Sequence, residues 1–158
     1  MLEAFQQFFR EHSESWLERF DYKEAGPQLL MQAFLQRIIN GGGRISREYG
    51  LGRRRTDLAI EWPLQRLPPS SESGTEGEGE SDWHGPIQRI VIELKLLRGS
   101  LDSVLAKGLE QTAAYADAFK ADEAHLVIFN RDPDVGWGKK IWRQNRQCAN
   151  RTIGVWGA

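Results

Sequence analysis

The chain has 158 residues, enough for one domain with its own hydrophobic core. No apolar stretch approaches the ~20 residues of a membrane-spanning helix, and the N-terminus lacks the basic start and apolar segment of a signal peptide, so we expect a cytoplasmic protein without membrane contact. Cys148 is the single cysteine, which excludes an internal disulfide and a cysteine-rich zinc site.

The formal net charge of −1 hides an uneven distribution of charge. Residues 70–86 hold five acids and no Lys or Arg, and these acids account for −5 of the total, so the remaining residues carry +4. Basic residues form two clusters in the sequence, the first with Arg44, Arg47, Arg53, Arg54 and Arg55 and the second with Lys139, Lys140, Arg143, Arg146 and Arg151. Such clusters suit binding to a phosphate backbone. An ordinary solvated surface is the alternative interpretation, above all for the second cluster.

Helical spacing marks two segments before the first strand. Apolar residues recur at this spacing from Leu2 to Phe20, which predicts an N-terminal helical extension over residues 1–22. Its large aromatic side chains need a surface to cover, and the alternatives are the domain core, a partner or an upstream part of a longer protein. Pro27 suits the first turn of a second helix, because its missing N–H has no partner there, and the glycines at 41–43 suit the end of that helix.

A predicted antiparallel hairpin follows. Residues 44–49 alternate as a strand, and residues 50–52 suit a turn. In the next strand Asp57 alternates with Leu58 and Ile60, so one face is apolar and the other carries the acid.

Residues 63–86 interrupt this pattern. They are rich in Pro, Ser, Gly and Glu and poor in apolar side chains, which predicts a long exposed acidic loop. We interpret the segment as a loop within one domain that spans residues 1–158, because it separates the two halves of the predicted site.

Residues 87–97 are predicted to form the central strand, and two charges stand in its apolar run. Glu93 and Lys95 lie two positions apart, so they project from one face of the strand. Buried charges are costly unless they are paired or bind a metal. A structural ion pair near the strand end is one interpretation, and a catalytic site is the other.

The C-terminal third begins with a helix from residue 102 or 103 to about residue 121, followed by a buried strand at 124–129. Because a helix connects them, the strands at 87–97 and 124–129 should be parallel. Residues 139–142 are predicted as a short strand or helical turn, and residues 152–156 as a last strand.

An Asp on one strand and a Glu-x-Lys on the next can converge on one divalent cation. Carboxylate oxygens are ligands that Mg²⁺ and Mn²⁺ prefer. Such a metal can polarise a phosphoryl oxygen and activate water, and a neighbouring Lys can stabilise the phosphate charge or orient the water.

The order Asp57, then Glu93-Leu94-Lys95, resembles the PD-(D/E)XK nuclease superfamily, with Thr56 where Pro is usual. This resemblance covers roughly residues 27–130. It implies an α/β fold with the restriction-endonuclease-like αβββαβ core, in which helices flank a mixed sheet.

Two further segments extend the resemblance. Gln111 and Tyr115 are similar to the Gln-x-x-x-Tyr motif of RecB-type and lambda-type exonucleases in that superfamily. Residues 16–26 and 30–42 resemble the C-terminal domain appended to a group of bacterial AAA-type ATPases. The partners implied are therefore a nucleic acid, with DNA expected first, and an ATPase domain in the same or a neighbouring chain. The oligomeric state stays open, with a homodimer as one option.

The resemblance also implies roles for individual residues. Asp57, Glu93 and the backbone carbonyl of Leu94 would bind Mg²⁺ or Mn²⁺, and Lys95 would position or activate the attacking water. Glu24 is the candidate for a further metal ligand by its position, although a helix-capping acid is the alternative for it.

Other residues would bind the substrate or supply that further acid. Gln111 and Tyr115 lie on one helical face and would orient the substrate. The basic side chains expected beside the site are those of Arg53 and Arg55. Alternative acids are Glu48, on the adjacent strand, and Glu61, further along the strand of Asp57.

Three functions therefore compete. The first is a metal-dependent nuclease that hydrolyses phosphodiester bonds. The second is a catalytically silent binding or sensor module with the same fold. The third is an interaction domain whose aromatic N-terminal helix docks onto an ATPase. Binding of a divalent metal discriminates among them, because only the nuclease requires it.

Overall fold

The computed structural model describes residues 1–17, 25–39, 42–51, 54–64 and 85–158. Within these ranges, the side chains at 13–17, 25, 38–39, 48–49, 51 and 54–55 lie outside the description. The expectations for Glu24, for Arg53 and for the acidic residues 70–82 therefore fall outside the described residues.

A mixed six-stranded sheet forms the centre of the fold, in the order β1-β2-β3-β4-β6-β5. The strand pairs β1–β2, β2–β3 and β5–β6 are antiparallel, whereas β3–β4 and β4–β6 are parallel. The predicted α/β class is confirmed, as are the first hairpin and the parallel pair. The elements are α1 (Leu2–Leu17), α2 (Ala25–Ile39), β1 (Arg44–Leu51), β2 (Arg54–Pro63), β3 (Ile87–Leu96), α3 (Leu101–Phe119), β4 (Glu123–Phe129), α4 (Trp137–Lys140), β5 (Trp142–Cys148) and β6 (Arg151–Gly157).

Helices cover both faces of this sheet, which is why its central strands are apolar on both sides. On one face, α1 and α2 pack Phe5, Phe9 and Met31 into a core that includes Leu58 and Ile92. The other core packs α3 against the sheet and includes Ala59, Val91, Leu126, Leu105, Ala116 and Phe119. Alternation along β2 and β3 therefore assigns even-numbered residues to the α1–α2 face and odd-numbered residues to the α3 face.

Helix α3 lies close to the sheet because a glycine faces β4. Ser100 caps its N-terminus, with the hydroxyl accepting the N–H of Ser103. Gly108 is buried against Leu126, and a Cβ built at this position would lie 2.7 Å from Leu126 Cδ2. The absence of a side chain at Gly108 therefore allows α3 to approach β4 closely.

Helix α1 packs into the core, which is one of the surfaces that the sequence left open for it, since Phe5 and Phe9 are almost fully buried. Two other features differ from the sequence-based expectations. Strand β2 continues through Pro63, where the loop was predicted to begin. The Leu64 N–H then donates to the Pro86 carbonyl at 2.9 Å, so these two residues lie side by side. The short element predicted at 139–142 overlaps helix α4, but strand β5, at 142–148, was not predicted.

Within the described ranges, no helix is long and apolar enough to span a membrane.

Candidate functional site

Asp57 and Glu93 come together where β2 and β3 reach the end of their pairing. The antiparallel pairs run from Pro63–Ile87 to Leu58–Ile92, so Asp57 and Glu93 are the next residues on each strand. Both residues are odd-numbered, as is Lys95, so the two-residue repeat of strands predicts that their side chains project on the same side. Because β2 and β3 are paired up to this point, Asp57 and Glu93 lie close together although they are 36 positions apart in sequence.

Side-chain hydrogen bonds fix the geometry of this cluster. The Asp57 carboxylate takes the place of a backbone acceptor, because its Oδ2 accepts the Leu94 N–H at 2.8 Å. The Lys95 ammonium donates to Glu93 Oε1 at 2.6 Å. Asp57, Glu93 and Lys95 thus form a compact polar group around the backbone of Leu94.

Glu93 is the electrostatically unusual residue. Only 4 % of it is exposed, and its second oxygen, Oε2, is buried without a hydrogen-bond partner. Burial raises the pKa of this carboxyl from 4.5 to about 7, and repulsion from Asp57 adds to the increase, whereas Lys95 lowers the pKa. A buried carboxyl whose pKa is raised by burial and by a neighbouring charge is typical of functional sites.

A cavity of about 320 Å³ opens beside this group, where β3 and β4 end. Asp57 and Lys95 lie on its wall together with the first turn of α2 and the segment that follows β3. The lining residues are Pro27, Gln28, Asp57, Leu94, Lys95, Leu96, Arg98 and Phe129. The polar group is therefore accessible to a small ligand from one side.

The residues predicted to bind substrate are less clearly placed. Gln111 is exposed on α3, Tyr115 one turn further is 8 % exposed, and neither lines this cavity. Arg53 and the side chain of Arg55 lie outside the described residues. Substrate contacts by these four residues stay predictions.

Two other polar residues line the cavity, and neither was singled out from the sequence. Arg98 follows β3, and Gln28 is in the first turn of α2. The spacing Lys95-x-x-Arg98 was visible in the sequence, but only the bend of the chain after β3 shows that both side chains border one cavity. No sequence pattern pointed to Gln28.

The third acid of the site stays a prediction. Glu61 lies four residues along β2 from Asp57, and its carboxylate pairs with Arg89 at 3.5 Å. Glu24 and the side chain of Glu48 fall outside the description. Within the described part of the chain, no group of three His, Cys, Asp or Glu side chains could hold a metal ion.

The chemistry of the donors fits a hard divalent cation. Glu93 Oε2 is a buried carboxylate oxygen without a partner, which is costly for the folded protein unless a cation binds there. Asp57 adds a second carboxylate, and oxygen ligands of this kind suit Mg²⁺ and Mn²⁺.

Compared with models of known protein families, with curated proteins and with solved structures, the chain matches none.

Proposed function

We propose that this protein is a metal-dependent phosphodiesterase of the PD-(D/E)XK nuclease type, acting on nucleic acid, with DNA as the first candidate. One observation carries the proposal: a buried Glu93 carboxylate with an unpartnered oxygen lies beside Asp57 and Lys95, and these two residues line a cavity. A purely structural ion pair would need neither the second carboxylate nor the cavity.

Each residue of the group has a role in this proposal. Asp57, Glu93 and the Leu94 carbonyl would hold Mg²⁺ or Mn²⁺. The bound metal would polarise a phosphoryl oxygen and lower the pKa of a water molecule. Lys95 would donate to the developing negative charge or position the attacking water, and its contact with Glu93 holds the ammonium at the mouth of the cavity.

The test is incubation of the purified protein with single-stranded and duplex DNA and with RNA, in Mg²⁺, Mn²⁺ or chelator. We expect cleavage that requires metal. Lys95→Ala should abolish cleavage but keep metal binding, whereas Glu93→Ala should lose both activity and metal affinity, measured by calorimetry.

Matched controls come from the opposite end of the sheet. Glu123→Gln removes an exposed carboxylate at the start of β4, and Lys120→Asn removes one positive charge at a position with φ of 54°, which Asn tolerates. Both controls should cleave like the parent protein. If the parent binds neither Mg²⁺ nor Mn²⁺ and cleaves no nucleic acid, a catalytically silent module becomes the better description.

A further inference from the structure

The residues that line the cavity beside the polar group are of two chemical kinds. Asp57, Lys95 and Arg98 are charged and Gln28 is polar, whereas the other lining residues are apolar. A nucleotide has the same division, with a charged phosphate and a largely apolar ring. The volume of about 320 Å³ lies at the small end of ligand pockets, so it suits one nucleotide rather than a longer segment.

The position of Arg98 is fixed by the backbone on both sides of it. The Leu97 N–H donates to the Phe129 carbonyl at 2.8 Å, which ties the segment to the end of β4. Gly99 has φ of 75°, in the left-handed region that favours glycine, and Ser100 caps α3. The chain after β3 therefore makes a defined bend that presents Arg98 at the cavity.

The opposite wall is fixed as well. Gln28 is partly buried in the first turn of α2, and the following turns of that helix anchor it in the core through Leu30, Met31 and Leu35. The N-terminal end of a helix carries partial positive charge, which favours a nearby anion.

On this arrangement, and resting on the proposed function, we propose that Arg98 binds the phosphate next to the bond that is cleaved, and that Gln28 donates its side-chain amide to the same nucleotide. Lys95 is occupied with Glu93 and the reacting phosphate, so a second cation is needed for the neighbouring phosphate. A guanidinium suits this task, because its planar donors bind two phosphate oxygens at once.

The experiment measures binding of a fluorescently labelled single-stranded DNA oligonucleotide at several salt concentrations. Ca²⁺ replaces Mg²⁺ in this assay, since it accepts the same oxygen ligands and the oligonucleotide should then stay intact. Arg98→Ala should weaken binding about tenfold and lower the slope of log affinity against log salt by about 0.7, the loss of one phosphate contact. Arg98→Lys should keep the slope, because the charge remains, but bind more weakly than the parent.

The matched control is Arg89→Ala, which removes a guanidinium from the other end of β3, where Arg89 pairs with Glu61. This control should change neither affinity nor slope. In Mg²⁺ cleavage assays, Arg98→Ala and Gln28→Ala should raise KM more than they lower kcat.

The outcomes separate this inference from the proposed function. Equal effects of Arg98→Ala and Arg89→Ala, or an unchanged salt slope for Arg98→Ala, would overturn the role of Arg98 even in an active nuclease. Binding that depends on Arg98 without any cleavage would keep the phosphate contact and refute the nuclease. A parent protein that binds no DNA and cleaves neither DNA nor RNA would refute both.

Discussion

At Glu93, stability and the proposed chemistry conflict. The carboxylate is buried, has one unpartnered oxygen and lies close to a second carboxylate, so its ionised form costs folding free energy. Lys95 offsets only part of this cost, because the pKa of Glu93 remains raised to about 7. Such a residue is retained where ionisation serves function, since a neutral side chain would stabilise the fold better.

Linkage gives this conflict a pH dependence. Between the unfolded pKa of 4.5 and the folded pKa of about 7, the folded protein holds a proton on Glu93 that the unfolded chain has released. The contribution of Glu93 to the free energy of unfolding is therefore fully present below pH 4.5, and it is lost as the pH rises through about 7. In chelator, Glu93→Gln should therefore be about 2–3 kcal/mol more stable than the parent at pH 8 and nearly equal to it at pH 4.

Urea unfolding at both pH values measures this difference. The exposed carboxylate of Glu123 provides the control, and Glu123→Gln should change the free energy of unfolding by less than ~1 kcal/mol at either pH. Added Mg²⁺ should stabilise the parent but not Glu93→Gln. A Glu93→Gln variant less stable than the parent at pH 8 would show that the ionised Glu93–Lys95 pair is structural.

Among the elements, α3 shows how a residue poor for helices can be required by packing. Gly108 lowers helix propensity by about 1 kcal/mol relative to Ala, but it allows the helix to approach β4. The C-terminal end of α3 is held by Arg151, whose guanidinium donates to the carbonyls of Ala121 and Ala116 and pairs with Asp117. Helix α3 is thereby fixed against the strands that carry the candidate site.

Gly108→Ala should destabilise the protein by about 1–2 kcal/mol, because the cost of displacing Leu126 exceeds the gain in helix propensity. The measurement is thermal unfolding of three proteins: Gly108→Ala, Leu126→Val and the double variant that carries both substitutions. The double variant should recover part of the loss, since Val removes the atoms that the new methyl group meets. Additive effects of the two substitutions would contradict this contact.

For the whole molecule, α1 is the element whose role the sequence left open and the structure decides. Gln6 is buried, and its amide donates to the carbonyls of Trp142 (3.0 Å) and Gly157 (2.6 Å), which joins α1 to β5 and β6. Phe5 and Phe9 pack against Phe129 in the core. The N-terminal helix thus completes one face of the sheet.

Removal of residues 1–17 should therefore prevent folding, because it exposes the apolar face around Phe129. Gln6→Met, which preserves size but removes the amide donor from both carbonyls, should cost about 2–4 kcal/mol. Circular dichroism and urea unfolding test both changes, with Gln7→Met, at an exposed position of the same helix, as the control. A truncated protein with parent-like unfolding would restore the description of this helix as an extension.

The sequence by itself determined the elements with strong periodicity and the order of the candidate site. Strand β3, helix α3 and strand β4 were predictable because their side chains are buried, and burial imposes apolar repeats. The proximity of Asp57 and Glu93 was predicted from the order of Asp57 and Glu93-Leu94-Lys95 on consecutive strands and from the two-residue repeat of strands. Only the tertiary structure decided what depends on contacts between distant segments. Strand β5 is polar because it lies at the edge of the sheet, so its pairing with β6 left no apolar pattern to read. Likewise Arg98 and Gln28 meet at one cavity because β3 ends beside the start of α2, a proximity that no local pattern records.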